Sequence, residues 1–521
     1  MAHNQPANER DTGLKSSEAQ AGSGPLLRVY AAVIAAIAVA VRLLVLAKTH
    51  STGEDALITL RYAQNLAHGN GLVFNPGEPV LGVTTPLYCL LLSLFAFFHL
   101  PALLCGKLVC IAADGCTCFL ICVILARFQR PAAGLFASAL YALTTTPISV
   151  TVSGMETGLV AFMGLAMVYA AISQRSMLMW GLGAVLYLLR IDGLLLLFFL
   201  AAQEMGLTGR IHWKCIALFV LIAAPWSLFA WAHFGTPVPT SLIAKLTVYR
   251  HPSFAPHLRF LGLNVTPGNR EAFVAQFAAG GVQKLLSVLF VAGSLLAIRG
   301  ALRRQPIGTL TAPAVWCVVY YLVMFTSRVP AFPWYFLPPW PIFTLIASYA
   351  GDTFVRKLGT RLPQARQRSV AAQPILLPAI VALALGIVHL PAVIRQISEA
   401  QRIEDTLRQP IGEWLHGQVT GRQRVMLEPI GYIGYYSNAC VLDTIGLVSP
   451  EVLDSYRNVD LKDPRTDIIH RLRPEWLCLR ASEERALLAA DIKILSQEYT
   501  LEKRFSTPGA EEFAVYRRRA E

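Results

Sequence analysis

The sequence predicts an all-α polytopic membrane protein that ends in a small soluble α/β domain. Hydrophobic residues make up 55% of the 521 residues and charged residues only 15%, which is too apolar for a set of soluble domains. Eleven segments approach the length of about 20 apolar residues that a membrane span needs. Residues 391–521 instead alternate short apolar strands with helical patterns, as a soluble α/β domain does.

The predicted transmembrane domain covers residues 27–390 and follows a polar tail, residues 1–26, which is predicted to be disordered and cytoplasmic. Its eleven predicted spans are residues 27–49, 104–126, 131–150, 157–173, 176–190, 193–207, 212–233, 281–299, 311–328, 334–351 and 373–390. The two spans that flank the charged turn at 190–193 are short, so a broken or re-entrant pair is an alternative to two full crossings.

The distribution of charge predicts the orientation of the chain. The net charge is +13, yet residues 391–521 carry 18 Lys or Arg and 20 Asp or Glu, so the basic excess lies in the short loops of the membrane part. That pattern is a topology signal and argues against a nucleic-acid partner. If the apolar residues 84–100 form a juxtamembrane helix at the outer interface, five basic loops face the cytoplasm. The loop 50–103 and the C-terminal domain then lie outside.

Residues 391–521 read as a domain with a partly parallel sheet. Strands are predicted at residues 424–427, 441–443 and 476–479, with a glycine turn into a helix at 431–434. The glycines are too sparse for a phosphate-binding loop.

Two adjacent carboxylates follow the first span directly. Glu54 and Asp55 lie at the predicted outer surface of the membrane, where acids are costly unless they are used or paired. A helix is predicted to begin at Ala56, so the alternative is that Asp55 is a helix N-cap. Position alone does not separate these two interpretations.

Several further motifs accompany the acidic pair, in the same order along the chain as in a known family. They are residues 57–63 (LITLRYA), 69–78 (GNGLVFNPGE), 85–87 (TPL), 153–157 (SGMET), 190–193 (RIDG) and 234–245 (FGTPVPTSLIAK). With Glu54-Asp55, this set resembles the GT-C superfamily of membrane glycosyltransferases, and within it the branch of the bacterial arabinofuranosyltransferases. The resemblance covers most of residues 27–450 and implies a GT-C-like fold in the plasma (inner) membrane of a bacterium.

The resemblance also implies an activity, the transfer of a sugar from a polyprenyl-phosphate donor to a glycan, lipid or protein acceptor of the cell envelope. Such a transfer needs a base for the acceptor hydroxyl and positive charge near the departing phosphate. Asp55 is the predicted base, and Glu54 either orients it or shares a divalent cation with it. The substrate-binding candidates are Arg61, Arg190, Lys245 and Arg328 for the phosphate, and Glu156 and Asp192 on the same face.

Each candidate has a structural alternative. Arg61 could pair with the acidic pair, Arg190 and Asp192 could neutralise each other, Lys245 and Arg328 could be interfacial anchors, and Glu156 could cap a helix. For the whole chain, the rivals are a transporter or flippase of lipid-linked sugars, because intramembrane charges also mark transport pathways, and a non-catalytic binding protein.

Overall fold

The computed structural model describes residues 25–249, 270–326, 332–360, 376–457, 463–491 and 493–520. In these residues the regular elements of the membrane part are all helices. Its helices, in chain order, are α1 (Pro25–Thr49), α2 (Glu54–Ala67), α3 (Pro86–Phe97), α4 (Ala102–Arg127), α5 (Pro131–Leu143), α6 (Thr145–Val152), α7 (Thr157–Ile172), α8 (Ser176–Leu189), α9 (Gly193–Thr208), α10 (Trp213–Phe234), α11 (Thr240–Val248), α12 (Arg270–Leu302), α13 (Thr311–Thr326), α14 (Trp340–Gly359) and α15 (Leu377–Ile403).

The described helices make the chain a multi-pass membrane protein. Six of them are long and apolar enough to cross a membrane, and the pair α5 and α6, bent by 52°, counts as a seventh if it forms one span. The apolar helices α3, α7, α8 and α9 are shorter, at 10–17 residues. The described helices therefore include six or seven long spans and four shorter apolar helices. The number of eleven spans stays a prediction. The 12-residue helix α3 is about 18 Å long, too short for a hydrocarbon core of about 30 Å.

An ion pair that the sequence did not predict lies inside the helical part. Arg42 of α1 and Asp114 of α4 are both fully buried, and their Nε and Oδ2 atoms are 2.6 Å apart. Asp114 also accepts hydrogen bonds from Tyr141 of α5, at 2.8 Å, and Thr151 of α6, at 2.7 Å. Because a charge in an apolar interior must be compensated, this network joins four helices at the bend between α5 and α6.

The C-terminal domain holds a five-stranded mixed sheet. Its elements are α16 (Gln409–His416), β1 (Arg424–Leu427), α17 (Tyr432–Ser437), β2 (Cys440–Asp443), α18 (Leu453–Arg457), α19 (Pro464–Leu472), β3 (Trp476–Arg480), α20 (Ala481–Ala490), α21 (Ile494–Glu498), β4 (Tyr499–Phe505) and β5 (Phe513–Arg518). The strand order is β2-β1-β3-β5-β4. Strand β1 pairs in parallel with β2 and β3, whereas β5 is antiparallel to β3 and β4.

The three predicted strands and the α/β domain are confirmed. Strands β4 and β5 were not predicted. Helix α15 continues through residue 391, where the domain was predicted to begin, and reaches Ile403. Trp476 and Trp414 pack edge to face, 6.2 Å between ring centroids, and Trp476 is fully buried. Helix α16 is therefore held against the sheet by aromatic contacts.

Candidate active site

Helix α2 begins at Glu54, so the acidic pair occupies its first turn. The residue before it, Gly53, donates its amide to the carbonyl of Ser153 at 2.7 Å. That hydrogen bond places the start of α2 beside the turn between α6 and α7. The two predicted acidic motifs, 54–55 and 153–157, are therefore neighbours in space.

Glu54 faces the C-terminal domain. Its carboxylate accepts the amides of Gly431, in a very short contact, and of Tyr432, at 3.3 Å, at the start of α17. Arg408 lies 3.9 Å away. Burial raises the pKa of Glu54 to about 8, although Arg408 and the two amides oppose the shift. Its oxygens thus bind a neighbouring domain, and they are less available for sharing a cation with Asp55.

Arg61 also holds the C-terminal domain. Its Nε donates to the carbonyl of Phe74 at 2.9 Å, and its two terminal nitrogens donate to the carbonyls of Gly434 at 2.5 Å and Ala439 at 2.6 Å. The guanidinium also lies 4.2 Å from the centre of the Phe74 ring. Burial lowers its pKa to about 10. All three guanidinium nitrogens are used, so the geometry favours a structural role over phosphate binding.

Arg190 and Asp192 occupy the turn between α8 and α9, where they form an ion pair with a nitrogen–oxygen distance of 2.9 Å. Arg190 also reaches Glu156, at 3.5 Å. The hydroxyl of Tyr320, on α13, donates to Asp192 at 3.2 Å. These contacts bring the turn 190–193, the second acidic motif and α13 to one place.

Lys245, on α11, joins the same cluster. Its ammonium donates to the Tyr335 hydroxyl at 3.2 Å, and the Arg190 guanidinium lies 5.7 Å from the centre of the Tyr335 ring. Burial acts to lower the pKa of Lys245, but the carboxylate of Asp55 and Tyr335 outweigh it, and the pKa is raised. Asp55 also interacts electrostatically with Glu156. Tyr335 therefore contacts both basic side chains, and Asp55 is near enough to Lys245 and Glu156 to interact electrostatically with both.

Five of the eight predicted site residues thus form one cluster, namely Asp55, Glu156, Arg190, Asp192 and Lys245, whereas Glu54 and Arg61 hold the C-terminal domain. Arg328 lies outside the described residues. The sequence missed Tyr320 and Tyr335. Tyr335 was visible only as part of an aromatic stretch typical of membrane interfaces, and nothing in the pattern of α13 distinguishes Tyr320 from its apolar neighbours.

The segment 51–53 leading to Asp55 is clamped by residues that the sequence did not single out. Lys107 donates to the Ser51 carbonyl at 2.5 Å and to the Thr52 hydroxyl at 3.0 Å. The Gln401 side chain accepts the Thr52 amide at 2.9 Å, and Tyr432 donates to the Thr52 carbonyl at 3.1 Å. A membrane helix, the long helix α15 and the C-terminal domain therefore all hold the segment that carries Asp55.

Metal ligands are sparse in the part of the chain that the structure describes, since no three His, Cys, Asp or Glu side chains come together there in a metal-binding arrangement. Glu54 and Asp55 would supply carboxylate oxygens, which suit a hard divalent cation. The amide contacts of Glu54 would have to be given up or shared for that site to form.

The solved structures that resemble this chain include two structures of ArnT from Cupriavidus metallidurans. In the structure with bound undecaprenyl phosphate, ArnT is 13% identical to this chain, with a TM-score of 0.55 over 93% of this chain and 97% of that one. The apo structure gives a TM-score of 0.56 at the same identity and coverage. The chain has the fold of ArnT. The GT-C-like fold predicted from the motifs is thereby confirmed.

The sequence comparisons cover less of the chain than the structural comparison does. Residues 395–516 match a family model described as a domain of unknown function, DUF8728. Curated protein sequences give no significant match. The ArnT-like fold therefore extends over nearly the whole chain, whereas the family match is confined to the C-terminal domain.

Proposed function

We propose that the chain is an integral membrane glycosyltransferase that moves a sugar from a polyprenyl-phosphate donor to an acceptor of the cell envelope. The observation that carries the proposal is the cluster of Asp55, Glu156, Arg190, Asp192 and Lys245 within an ArnT-like fold. ArnT itself has been seen with undecaprenyl phosphate, which supports a polyprenyl phosphate as the lipid partner here. The proposed acceptor is a glycan, a lipid or a protein. The proposed sugar is an arabinofuranosyl or a mannosyl group.

In the proposed reaction Asp55 removes the proton from an acceptor hydroxyl. The acceptor oxygen forms a bond to the anomeric carbon of the donor sugar, and the bond from that carbon to the phosphate oxygen breaks. The polyprenyl phosphate leaves with the bonding electron pair. Lys245 and Arg190 oppose the negative charge that develops on the phosphate, and such preorganised charge is a large term in catalysis. General base catalysis by Asp55 adds about 10²–10⁴-fold.

The charge of the cluster bears on which cations the donor needs. Asp55, Glu156 and Asp192 are three acids, whereas Arg190 and Lys245 are two bases, so the described groups do not yet compensate an incoming phosphate. Arg328 is the proposed additional cation, and a divalent cation at Asp55 is the metal-dependent alternative. Removing divalent cations by chelation distinguishes these two, because only the second alternative loses activity.

The proposed orientation has the N-terminus in the cytoplasm and the site and C-terminal domain on the outer face of the membrane. The basic loops support it. The donor would then be used after its transfer to the outer leaflet, and the acceptor would be a component of the envelope.

The first experiment measures the transfer of labelled sugar from a panel of polyprenyl-phosphate sugars, including arabinofuranosyl and mannosyl donors, in membranes that contain the protein. We expect Asp55→Asn to lower transfer at least about 100-fold while donor binding persists. Asp454→Asn is the matched control, since Asp454 is exposed and pairs only with Arg457 among the described ion pairs. If no donor supports transfer that depends on Asp55, the glycosyltransferase proposal fails, and lipid movement becomes the activity to assay.

A further inference from the structure

The C-terminal sheet has a switch point, between β1 and β3, where its strand order reverses. The chain leaves β1 for β2 on one side and later returns to β3 on the other side, and all three strands are parallel. The loops that follow β1 and β3 therefore diverge, and such switch points are where ligands bind in open α/β sheets. Glu428 is the first residue after β1 and Arg480 is the last residue of β3.

Glu428 and Arg480 form an ion pair at this switch point. Their side chains are 25% and 24% exposed, so both charges remain accessible at the carboxyl end of the sheet. Arg480 has a further anchor, because its backbone amide donates to Glu483 at 2.9 Å. Among the ion pairs of the described residues, Glu428 takes part in the one with Arg480 only. Glu428 is therefore the member of the pair that can turn to a ligand without disrupting a helix start.

Helix α11 connects this end of the sheet with the candidate active site. Tyr249 follows α11 directly. Its hydroxyl interacts electrostatically with Glu428 most strongly, and also with Lys245 and Asp443. Helix α11 also packs against α18 of the C-terminal domain. Lys245 precedes Tyr249 by four residues, which places them about one helical turn apart on one face. Lys245, which interacts with Asp55, is thus one helical turn away from Tyr249, which interacts with Glu428.

We propose that Glu428 and Arg480, with Tyr249, form a subsite for the acceptor that binds a hydroxyl-bearing sugar next to the attacking hydroxyl. A carboxylate accepts hydrogen bonds from neighbouring hydroxyls, a guanidinium donates to ring and hydroxyl oxygens, and a tyrosine hydroxyl both donates and accepts hydrogen bonds. The inference rests on the proposed function, since an acceptor hydroxyl at Asp55 leaves the remainder of the acceptor to extend toward the C-terminal domain.

The test is the binding of methyl glycosides to the full chain in detergent, measured by saturation-transfer NMR with methyl arabinofuranosides, mannosides, glucosides and galactosides. We expect wild type and Asp55→Asn to bind at least one of them, and Glu428→Gln to bind it about tenfold or more weakly, because a hydrogen bond to a charged group is worth about 1.5–3 kcal/mol. Glu451→Gln is the matched control. Glu451 pairs with Arg424 at the opposite end of β1, and this variant is expected to bind as wild type does.

Tyr249→Phe is a second variant and removes only a hydroxyl, so it tests the subsite even if Glu428→Gln folds poorly. We expect weaker glycoside binding there as well. The inference is overturned if wild type binds no methyl glycoside, or if Glu428→Gln and Tyr249→Phe both bind as tightly as Glu451→Gln. Transfer that depends on Asp55 would survive either result, so failure of the subsite is distinguishable from failure of the proposed function.

Discussion

Glu54 lies between the first turn of α2 and the first turn of α17, where it is partly buried against two amides and Arg408. An anion near a helix N-terminus is stabilised by the unpaired amides there. Burial acts in the opposite direction and prevails, so its pKa is raised to about 8. This residue therefore couples the stability of the interface to pH, while its neighbour Asp55 faces the site.

The pH dependence of that coupling has a definite sign. In the unfolded chain a glutamate titrates near about 4.3, so between that pH and about 8 the folded protein binds more protons at Glu54. The contribution of this residue to the free energy of unfolding therefore falls as pH rises through the window. We expect the Tm of wild type to fall relative to that of Glu54→Gln between pH 5 and 8, measured by thermal unfolding in detergent. A constant difference would contradict the prediction.

Lys245 is a base of the described cluster that interacts electrostatically with Asp55. We expect Lys245→Met to raise the donor KM about tenfold or more, because an ammonium that contacts the donor phosphate contributes about 1.5–3 kcal/mol. Lys245→Arg should restore part of the loss. Lys493→Met, at an exposed position, is the control. An unchanged donor KM in Lys245→Met would leave donor binding to Arg190 and Arg328.

At the scale of elements, the Arg42–Asp114 pair fixes how α1, α4, α5 and α6 pack. Asp114 has three partners from three different helices, so its removal leaves Arg42 as an uncompensated buried charge. We expect Asp114→Asn to cost about 3–5 kcal/mol in the free energy of unfolding. The double variant Arg42→Met, Asp114→Leu should cost less than the sum of the single variants Arg42→Met and Asp114→Leu, as a double-mutant cycle over these three variants would show. Strict additivity would mean that the two residues act independently.

The sequence predicts elements better than it predicts partners. Hydrophobic length and period are local, so the helices and strands β1 to β3 follow from them. Strand β4 was missed because Thr500–Arg504 are exposed at the edge of the sheet and a register shift interrupts the pairing between Leu501 and Lys503. Arg42 and Asp114 are 72 positions apart, and no local pattern identifies one as the partner of the other. The same limit applies to the contacts of Glu54 and Arg61.

At the scale of the whole molecule, the loop after α2 joins the membrane part to the C-terminal domain. The Asn75 side chain accepts the amide of Val441 at 3.0 Å and donates to its carbonyl at 2.8 Å, which satisfies backbone groups at the edge strand β2. Gly82 comes so close to Leu447 and Val448 that a Cβ there would lie 2.8 Å from both. The loop that contains Asn75 and Gly82 is therefore part of the interface with the C-terminal domain.

Arg61 is the central side chain of that interface, since it binds carbonyls on both sides of it. Arg61→Lys keeps the charge but cannot supply the three separate donors of a guanidinium, so at least one of the carbonyls of Phe74, Gly434 and Ala439 loses its partner. We expect faster hydrogen exchange in residues 431–441 and a lower kcat with an unchanged donor KM, because the segment that carries Asp55 is held partly by the same domain. Arg457→Lys, at an exposed pair, should change neither. If Arg61→Lys instead raised the donor KM and left exchange unaffected, Arg61 would belong to the donor phosphate site and the interface would be held by Glu54 and Asn75.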